Sequence, residues 1–207
     1  MKCISWSMTL MLRHAESRES NRAVLLQHDG HMPVDVMATY RLFTSPNATA
    51  DDIRATYRRK NREDGGKRRF TANCDRNTIV SIAAVQGHSG RAHAMLDDGQ
   101  HLTKVVNAEQ ILRICMHGAR KHHVAQILAK GVMPGGRRGM CHRAHVHLVE
   151  CIEGTGEIAG VRGGSDCIIK VDMHLLLSYG ADIFISENRV FLTSGLWGDD
   201  HYRDLNV

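Results

Sequence analysis

The sequence of 207 residues has few aromatic side chains, no long hydrophobic run and no closely spaced cysteine pair. Phe, Trp and Tyr make up only 5 % of the chain, which argues against a surface of stacked aromatics such as RRM or OB domains use. No apolar segment approaches the roughly 20 residues that cross a bilayer. The N-terminal residues do not resemble a signal peptide. We therefore expect a cytoplasmic or nuclear protein that does not bind membranes.

Cysteine spacing argues against disulfides and against a structural zinc site. The six cysteines are scattered without a C-x-x-C pair, so free thiols are expected. Between residues 115 and 151 several cysteines and histidines are close in sequence. His145 and His147 can share one face of a strand, but no third ligand stands at a spacing typical of zinc. We predict no bound metal. A Rossmann fold is also excluded, because no G-x-G-x-x-G motif follows a strand.

The chain has an excess of basic residues and a high content of histidine. It contains 27 Lys and Arg against 22 Asp and Glu, a formal charge of +5, and 14 histidines. A basic excess suits a nucleic-acid or phosphate-rich partner. Residues 54–62 carry five cations, and the run formed by Arg58, Arg59, Lys60 and Arg62 is either a solvated helix face or a contact to a nucleic-acid backbone.

The hydrophobic pattern predicts helices first and short strands later. Residues 5–16 should form a helix with Met8, Met11 and Leu12 in its buried stripe. Two more helices are predicted at 33–43 and 45–62. A β-hairpin follows, with strands at 67–72 and 78–85 joined by a turn at 75–77.

The second half combines short strands with one or two helices. The predicted strands are 111–116, 167–171, 183–186 and 190–193, the last two forming a hairpin. A helix is predicted at 121–129, ended by Gly131. Together the halves predict an α+β fold whose two lobes meet near residue 105.

Two clusters of cationic side chains are candidates for a phosphate site. Residues 140–150 are predicted to form a strand in which Arg143, His145 and His147 share one face. Guanidinium and imidazole groups bind phosphate well, although a solvated edge strand has the same pattern. Arg13 and His14 lie near the end of the first helix, where cations also simply favour the helix dipole.

Five motifs appear in the order in which one enzyme family carries them. They are Leu12-Arg13-His14, Lys67-Arg68-Arg69-Phe70, Gln86-Gly87-His88-Ser89, His117-Gly118, and Arg143 with His145-Val146-His147-Leu148. Together they resemble the NAD-dependent RNA 2′-phosphotransferases, also called tRNA 2′-phosphotransferases, over about residues 7 to 195.

This resemblance implies both an architecture and a reaction. Residues 1–105 would form a winged-helix-like lobe facing RNA, and residues 106–207 an NAD-binding lobe like an ADP-ribosyltransferase. The RNA 2′-phosphate would attack NAD and displace nicotinamide. The ribose 2″-hydroxyl would then attack phosphorus, releasing 2′-hydroxyl RNA and ADP-ribose 1″,2″-cyclic phosphate. The partners would be RNA bearing a 2′-phosphate, such as tRNA, and NAD as co-substrate, with the protein a monomer.

The resemblance also assigns residues. The catalytic set would be Arg13, His14, Arg69 and Arg143. The residues that meet NAD would be His88, Ser89, His117, Gly118, His145 and Arg162. The chain departs from the family pattern at four positions: Glu16, His31, Ala83 and Ala119.

Two other functions fit the same residues. An enzyme of this fold can stop halfway and ADP-ribosylate a nucleic-acid phosphate end. A protein that keeps the fold can also bind RNA without catalysis. The product formed from NAD and a 2′-phosphorylated RNA distinguishes all three.

Overall fold

The computed structural model describes residues 4–44, 47–63, 68–134, 143–150 and 164–194. The chain forms two compact units, Met1–His101 with Gly136–Ala144, and Leu102–Gly135 with His145–Val207. The first unit therefore contains the later segment Gly136–Ala144 in addition to its N-terminal part. The sequence analysis had placed one boundary near residue 105.

Helix α1, Ile4–His14, opens the first unit. Met8, Met11 and Leu12 are completely buried, as the apolar stripe predicted. The helix stops after His14 because the next residue, Ala15, has a left-handed φ of 52°. The chain turns there much as at a Schellman C-cap. Arg13 and His14 thus occupy the last turn.

The predicted helix at 33–43 is in fact two short helices, α2 (Val34–Ala38) and α3 (Arg41–Thr44). The hydroxyl of Thr39 donates to the Val36 carbonyl (2.7 Å). Such local side-chain bonds compete with helix continuation.

Helix α4, Ala50–Glu63, begins later than the predicted residue 45. Thr49 explains the start. Its hydroxyl accepts from the Asp52 N–H (3.2 Å), while the Asp52 carboxylate accepts from the Thr49 N–H (2.8 Å). This reciprocal pair is a capping box.

The sheet of the first unit has the order β1-β3-β2, and its pairings are antiparallel. Its strands are β1 (Met32–Pro33), β2 (Phe70–Asp75) and β3 (Thr78–Ala84). The predicted hairpin is confirmed. Arg76 and Asn77 form the turn with φ of 47° and 84°, as a type I′ turn requires. Two short helices follow, α5 (Gly90–His93) and α6 (Asp98–His101).

The second unit is built on a sheet of order β4-β8-β9-β6-β5-β7, paired antiparallel throughout. Its strands are β4 (Thr103–Lys104), β5 (Ile114–Ala119), β6 (Val146–Glu150), β7 (Cys167–Asp172), β8 (Ile183–Ile185) and β9 (Phe191–Thr193). Its helices are α7 (Val124–Lys130) and α8 (Met173–Ser178). Short 3-10 turns lie at Ala108–Gln110 and Lys121–His123. The hairpin β8–β9 and the end of α7 at Gly131, with φ 80°, confirm the prediction.

The predicted strand at 140–150 is wrong in its first half. Strand β6 begins only at Val146, and residues 140–142 lie outside the described part of the chain. Within β6, Val146 and Leu148 are buried and His147 is partly exposed, as alternation predicts. His145 is 8 % exposed, so it does not share an open face with Arg143 and His147.

Both units combine helices with antiparallel sheets, which confirms the α+β class. Cys74, Cys115 and Cys167 are free thiols, as predicted. Among the described residues, no helix has the length and apolar character needed to cross a membrane.

Candidate functional site

Arg13 is held against the loop formed by residues 86–89. The Ser89 N–H donates to the Arg13 carbonyl (2.8 Å). Gly87 has φ 86°, and a Cβ added there would lie 3.6 Å from Nη1 of Arg13. The Arg13 guanidinium therefore packs on the backbone of a loop whose shape favours glycine.

Arg69 is brought to the same loop by the β2–β3 hairpin. The Val85 N–H donates to the Arg69 carbonyl (3.1 Å), which extends the pairing of Phe70 with Ala84 by one more rung. The loop 86–89 begins directly after this rung. The hairpin thus holds the backbone of Arg69 beside Val85, the residue that directly precedes the loop.

Arg143 reaches the loop by a different route. It pairs with Ser89 in an isolated antiparallel bridge, and the Ala144 N–H donates to the His88 carbonyl (3.1 Å). Arg143 and Ala144 are the last residues of the segment Gly136–Ala144, which belongs to the first unit. Arg143 is therefore tied to the same loop that supports Arg13.

The three arginines also act on one another electrostatically. Burial, then the charge of Arg143 and then that of Arg69, lower the pKa of Arg13 to about 10. Arg13 is partly exposed, whereas Arg69 and Arg143 are exposed, and nearby like charges disfavour the charged form of each group. Nε of Arg13 is buried with no hydrogen-bond partner among the described residues, and so is Oγ of Ser89. Clustered cations with unused donors suit a dianionic ligand such as a phosphate monoester.

His14 lies in the same field. Burial lowers its pKa below the ordinary 6.5, the carboxylate of Glu16 opposes this, and the charges of Arg13 and Arg143 lower the pKa further. The ligand-free protein therefore favours a neutral imidazole near pH 7. An anion bound between the arginines and His14 would favour the protonated form instead. Such a group can accept or donate a proton.

His88 belongs to a group of buried histidines in the first unit. Its ring lies 4.7 Å from that of His101 in an edge-on arrangement. Nδ1 of His101 donates to the Asp29 carbonyl (3.2 Å), and Nδ1 of His31 lies 3.1 Å from the Asp29 carboxylate. Part of the high histidine content is thus structural.

The remaining predicted residues lie in the second unit. His117 and Gly118 lie inside β5, because that strand extends to Ala119 and not only to the predicted residue 116. Nδ1 of His117 donates to the His147 carbonyl (2.9 Å), which leaves Nε2 as the other functional atom. Nδ1 of His147 donates in turn to the His145 carbonyl (3.1 Å). Arg162 lies outside the described residues.

The structure therefore divides the predicted set into two groups. The first unit contains Arg13, His14, Arg69, His88, Ser89 and Arg143. The second contains His117, Gly118 and His145. Sequence reasoning gave no separate role to Gly87, which supports the Arg13 guanidinium, or to Glu16, which acts on His14. A glycine between two polar residues in a predicted loop was the available signal for the first.

Comparison with known proteins relates the whole chain to one family. Residues 1–195 match the family described as RNA 2'-phosphotransferase, Tpt1 / KptA family. A Danio rerio protein named tRNA 2'-phosphotransferase 1 is 26 % identical over 195 residues, which is 93 % of this chain and 77 % of the relative. A Hahella chejuensis protein named Probable RNA 2'-phosphotransferase is 32 % identical over 130 residues, 63 % of this chain and 59 % of the relative. The Homo sapiens protein named tRNA 2'-phosphotransferase 1 is 26 % identical over 194 residues, covering 93 % and 68 % of the two chains.

Proposed function

The chain belongs to the RNA 2'-phosphotransferase, Tpt1 / KptA family, and we propose that it transfers an internal 2′-phosphate of RNA to NAD. The products would be 2′-hydroxyl RNA, ADP-ribose 1″,2″-cyclic phosphate and nicotinamide. The names of the relatives carry the words 2'-phosphotransferase and either tRNA or RNA. The acceptor, the intermediate and the residue roles are part of the proposal.

The observation that carries the proposal is that one loop brings three arginines together: Arg13 and Arg143 both pair with Ser89, and Arg69 pairs with Val85 directly before the loop. The charges of Arg143 and Arg69 disfavour the charged form of Arg13, and a bound anion would offset this cost. A phosphate monoester offers three oxygens to planar guanidinium groups that bind such oxygens in pairs.

In the first step the arginines would hold and orient a nucleophile that is already charged. A phosphate oxygen forms a bond to the ribose carbon that bears nicotinamide, and the bond from that carbon to nicotinamide breaks. The leaving electron pair neutralises the nicotinamide ring. No protein nucleophile is required, so positioning is the main task of Arg13, Arg69 and Arg143.

In the second step the ribose 2″-hydroxyl attacks phosphorus, and the bond from phosphorus to the RNA 2′-oxygen breaks. Negative charge accumulates on the oxygens of a pentavalent phosphorus, where a well-placed donor contributes about 3–4 kcal/mol. His14 would carry the proton from the attacking hydroxyl to the leaving 2′-oxygen. Burial and the nearby arginines lower the His14 pKa, whereas the bound phosphate would raise it again, so the imidazole is suited to accept a proton and to donate it.

Each of the two units would bind one of the two substrates. The first would act as a winged-helix-like module for RNA, with the exposed Arg58 and Arg59 of α4 contacting the phosphate backbone. The second, like an ADP-ribosyltransferase, would bind NAD through His117, Gly118 and His145, together with Arg162. Nε2 of His117 is suited to an oxygen of the dinucleotide, because Nδ1 is already fixed by a carbonyl. Gly118 would let the cofactor approach the backbone closely.

The experiment incubates the purified protein with NAD and an RNA oligonucleotide that carries one internal 2′-phosphate. Products are separated by chromatography and identified by mass. The proposal predicts loss of phosphate from the RNA and equimolar nicotinamide release. Arg69→Ala and Arg143→Ala should each reduce turnover by at least about 100-fold, the effect of removing one transition-state donor. Arg68→Ala, an exposed neighbour of Arg69, is the matched control and should keep turnover within about twofold.

Other products would point to the rival functions. A stable ADP-ribosyl adduct on the RNA phosphate, without phosphate release, would identify an ADP-ribosyltransferase. Binding of the RNA without any NAD consumption would identify a non-catalytic RNA-binding protein.

A further inference from the structure

A polar groove runs beside the end of α1 in the first unit. It has a volume of about 630 Å³ and is lined by residues 16–23 together with Arg91. This size lies within the roughly 300–1,000 Å³ of sites that hold small organic ligands, so a nucleotide has room in it. Nothing in the catalytic proposal uses this groove.

Two lining residues are close in sequence to the candidate phosphate site. Glu16 follows His14 by two residues, and Arg91 follows Ser89 by two residues. The Ser89 N–H is bound to the Arg13 carbonyl. Two residues of chain span at most about 7 Å. An RNA strand with its 2′-phosphate between the arginines therefore has its next nucleotides within reach of the groove.

Two of the groove's arginines are stacked on aromatic rings. The guanidinium of Arg18 lies 4.4 Å from the centre of the Trp6 ring, and that of Arg22 lies 3.7 Å from the centre of the Tyr40 ring. Arg22 also donates to the carbonyl and hydroxyl of Thr39, at 2.9 and 2.6 Å. These contacts hold the two guanidinium groups in place before any RNA binds. Ordered guanidinium planes are surfaces on which unpaired RNA bases stack.

The remaining charges leave the groove able to attract an anionic strand. Arg18 and Arg91 are exposed and have no hydrogen bond or ion pair with any described residue. The lining contains three arginines, Arg18, Arg22 and Arg91, and two glutamates, Glu16 and Glu19, so its formal charge is +1. Glu19 accepts the backbone N–H of Arg41 (2.7 Å), and the charge of Glu16 acts on His14. The net charge of the lining is therefore positive.

We propose that this groove binds the RNA nucleotides adjacent to the 2′-phosphate. The Arg18 plane stacks on an unpaired base, and Arg91 pairs with a backbone phosphate of the same strand. The proposal deepens the proposed function and rests on it, since it presumes that the 2′-phosphate sits beside Arg13. It makes the substrate a single-stranded or looped RNA and not an isolated phosphorylated nucleotide.

The test compares short and long substrates in a binding assay without NAD. Fluorescence anisotropy gives the Kd of labelled RNA with an internal 2′-phosphate, as a dinucleotide and as a longer oligonucleotide. The double variant Arg18→Ala, Arg91→Ala should raise the Kd of the longer RNA by about tenfold. The Kd of the dinucleotide should rise much less. Arg18→Lys keeps the positive charge but removes the planar guanidinium group. It should therefore show part of the loss of affinity for the longer RNA.

Arg76→Ala is the matched control. Arg76 is an exposed arginine of the same unit with a left-handed φ of 47°, close to the 59° of Arg18. It stands at the turn of the β2–β3 hairpin, about 20 Å of strand from Arg69. Its loss should not change the Kd of either RNA. Thermal unfolding of each variant checks that the fold is retained.

Two results would overturn the proposal that this groove binds RNA. One is an unchanged Kd of the longer RNA in the folded double variant. The other is an equal loss for Arg76→Ala, which would mean that only net charge matters. Neither result depends on turnover, whereas absence of phosphate transfer by the unmodified protein would refute the proposed function alone.

Discussion

Replacing Arg13 by methionine should stabilise the protein in the absence of ligand. Burial, followed by the charges of Arg143 and Arg69, lowers the Arg13 pKa from its ordinary value to about 10. At about 1.36 kcal/mol per pKa unit, the protonated side chain costs the folded state about 3 kcal/mol. Methionine keeps a flexible apolar stem without the charge.

The sign of the effect follows from linkage. The pKa is lower in the folded than in the unfolded chain, so the unfolded chain binds the proton more tightly. The cost is therefore fully present at neutral pH and is relieved only as the pH rises above about 10 towards the higher pKa of the unfolded chain. At pH 7 the variant should gain about 1–3 kcal/mol in unfolding free energy, the lower figure allowing for lost packing of the longer stem.

The assay is urea unfolding at pH 7 with and without inorganic phosphate. Phosphate should stabilise the unmodified protein by mass action and the Arg13→Met variant much less. Arg76→Met, at an exposed turn, should change neither value. The reasoning is refuted if Arg13→Met lowers the unfolding free energy by more than about 1 kcal/mol, or if phosphate stabilises both proteins equally.

Three further perturbations test the surroundings of the site. Because burial holds the His14 pKa below 6.5, the unfolding free energy should rise with pH between that lowered value and 6.5; a pH series of urea unfolding should lose this slope in His14→Gln. Gly87→Ala meets only ordinary contacts but forces alanine to φ 86°, so it should cost about 1 kcal/mol and weaken phosphate binding measured by calorimetry. The hydrogen bond that His93 donates to the Asp98 carboxylate raises the pKa of His93, so this pair stabilises the fold below pH 6.5 and stops doing so as the pH rises through the raised pKa. Asp98→Asn should therefore lose more stability at acidic than at alkaline pH, and an equal loss at both would contradict the ion pair.

Local elements were predictable where the signal was local. The apolar spacing of Met8, Met11 and Leu12 is enough for α1, and Asn77 in the turn is enough for the β2–β3 hairpin. The break between α2 and α3 was missed, because it depends on the bond of the Thr39 hydroxyl to a carbonyl in the same stretch. The sequence alone does not show whether the hydroxyl of a threonine in a helical pattern will bond to a nearby carbonyl.

The sequence suggested the residues of the candidate site but not their geometry. Side-chain pattern and motif order together suggested Arg13 and Arg143, and motif order alone suggested Arg69. The bridge between Ser89 and Arg143 joins residues more than 50 positions apart, and periodicity carries no information about such pairing. The same limit explains the error at 140–150, where alternation was extended through Arg143 although that residue pairs outside β6.

The most direct test of the account is a crystal structure of the protein with a dinucleotide that carries a 2′-phosphate. The account predicts that the guanidinium groups of Arg13, Arg69 and Arg143 all lie within hydrogen-bond distance of that one phosphate, with the His14 ring beside it. A phosphate bound elsewhere, or touched by only one of the three arginines, would contradict it.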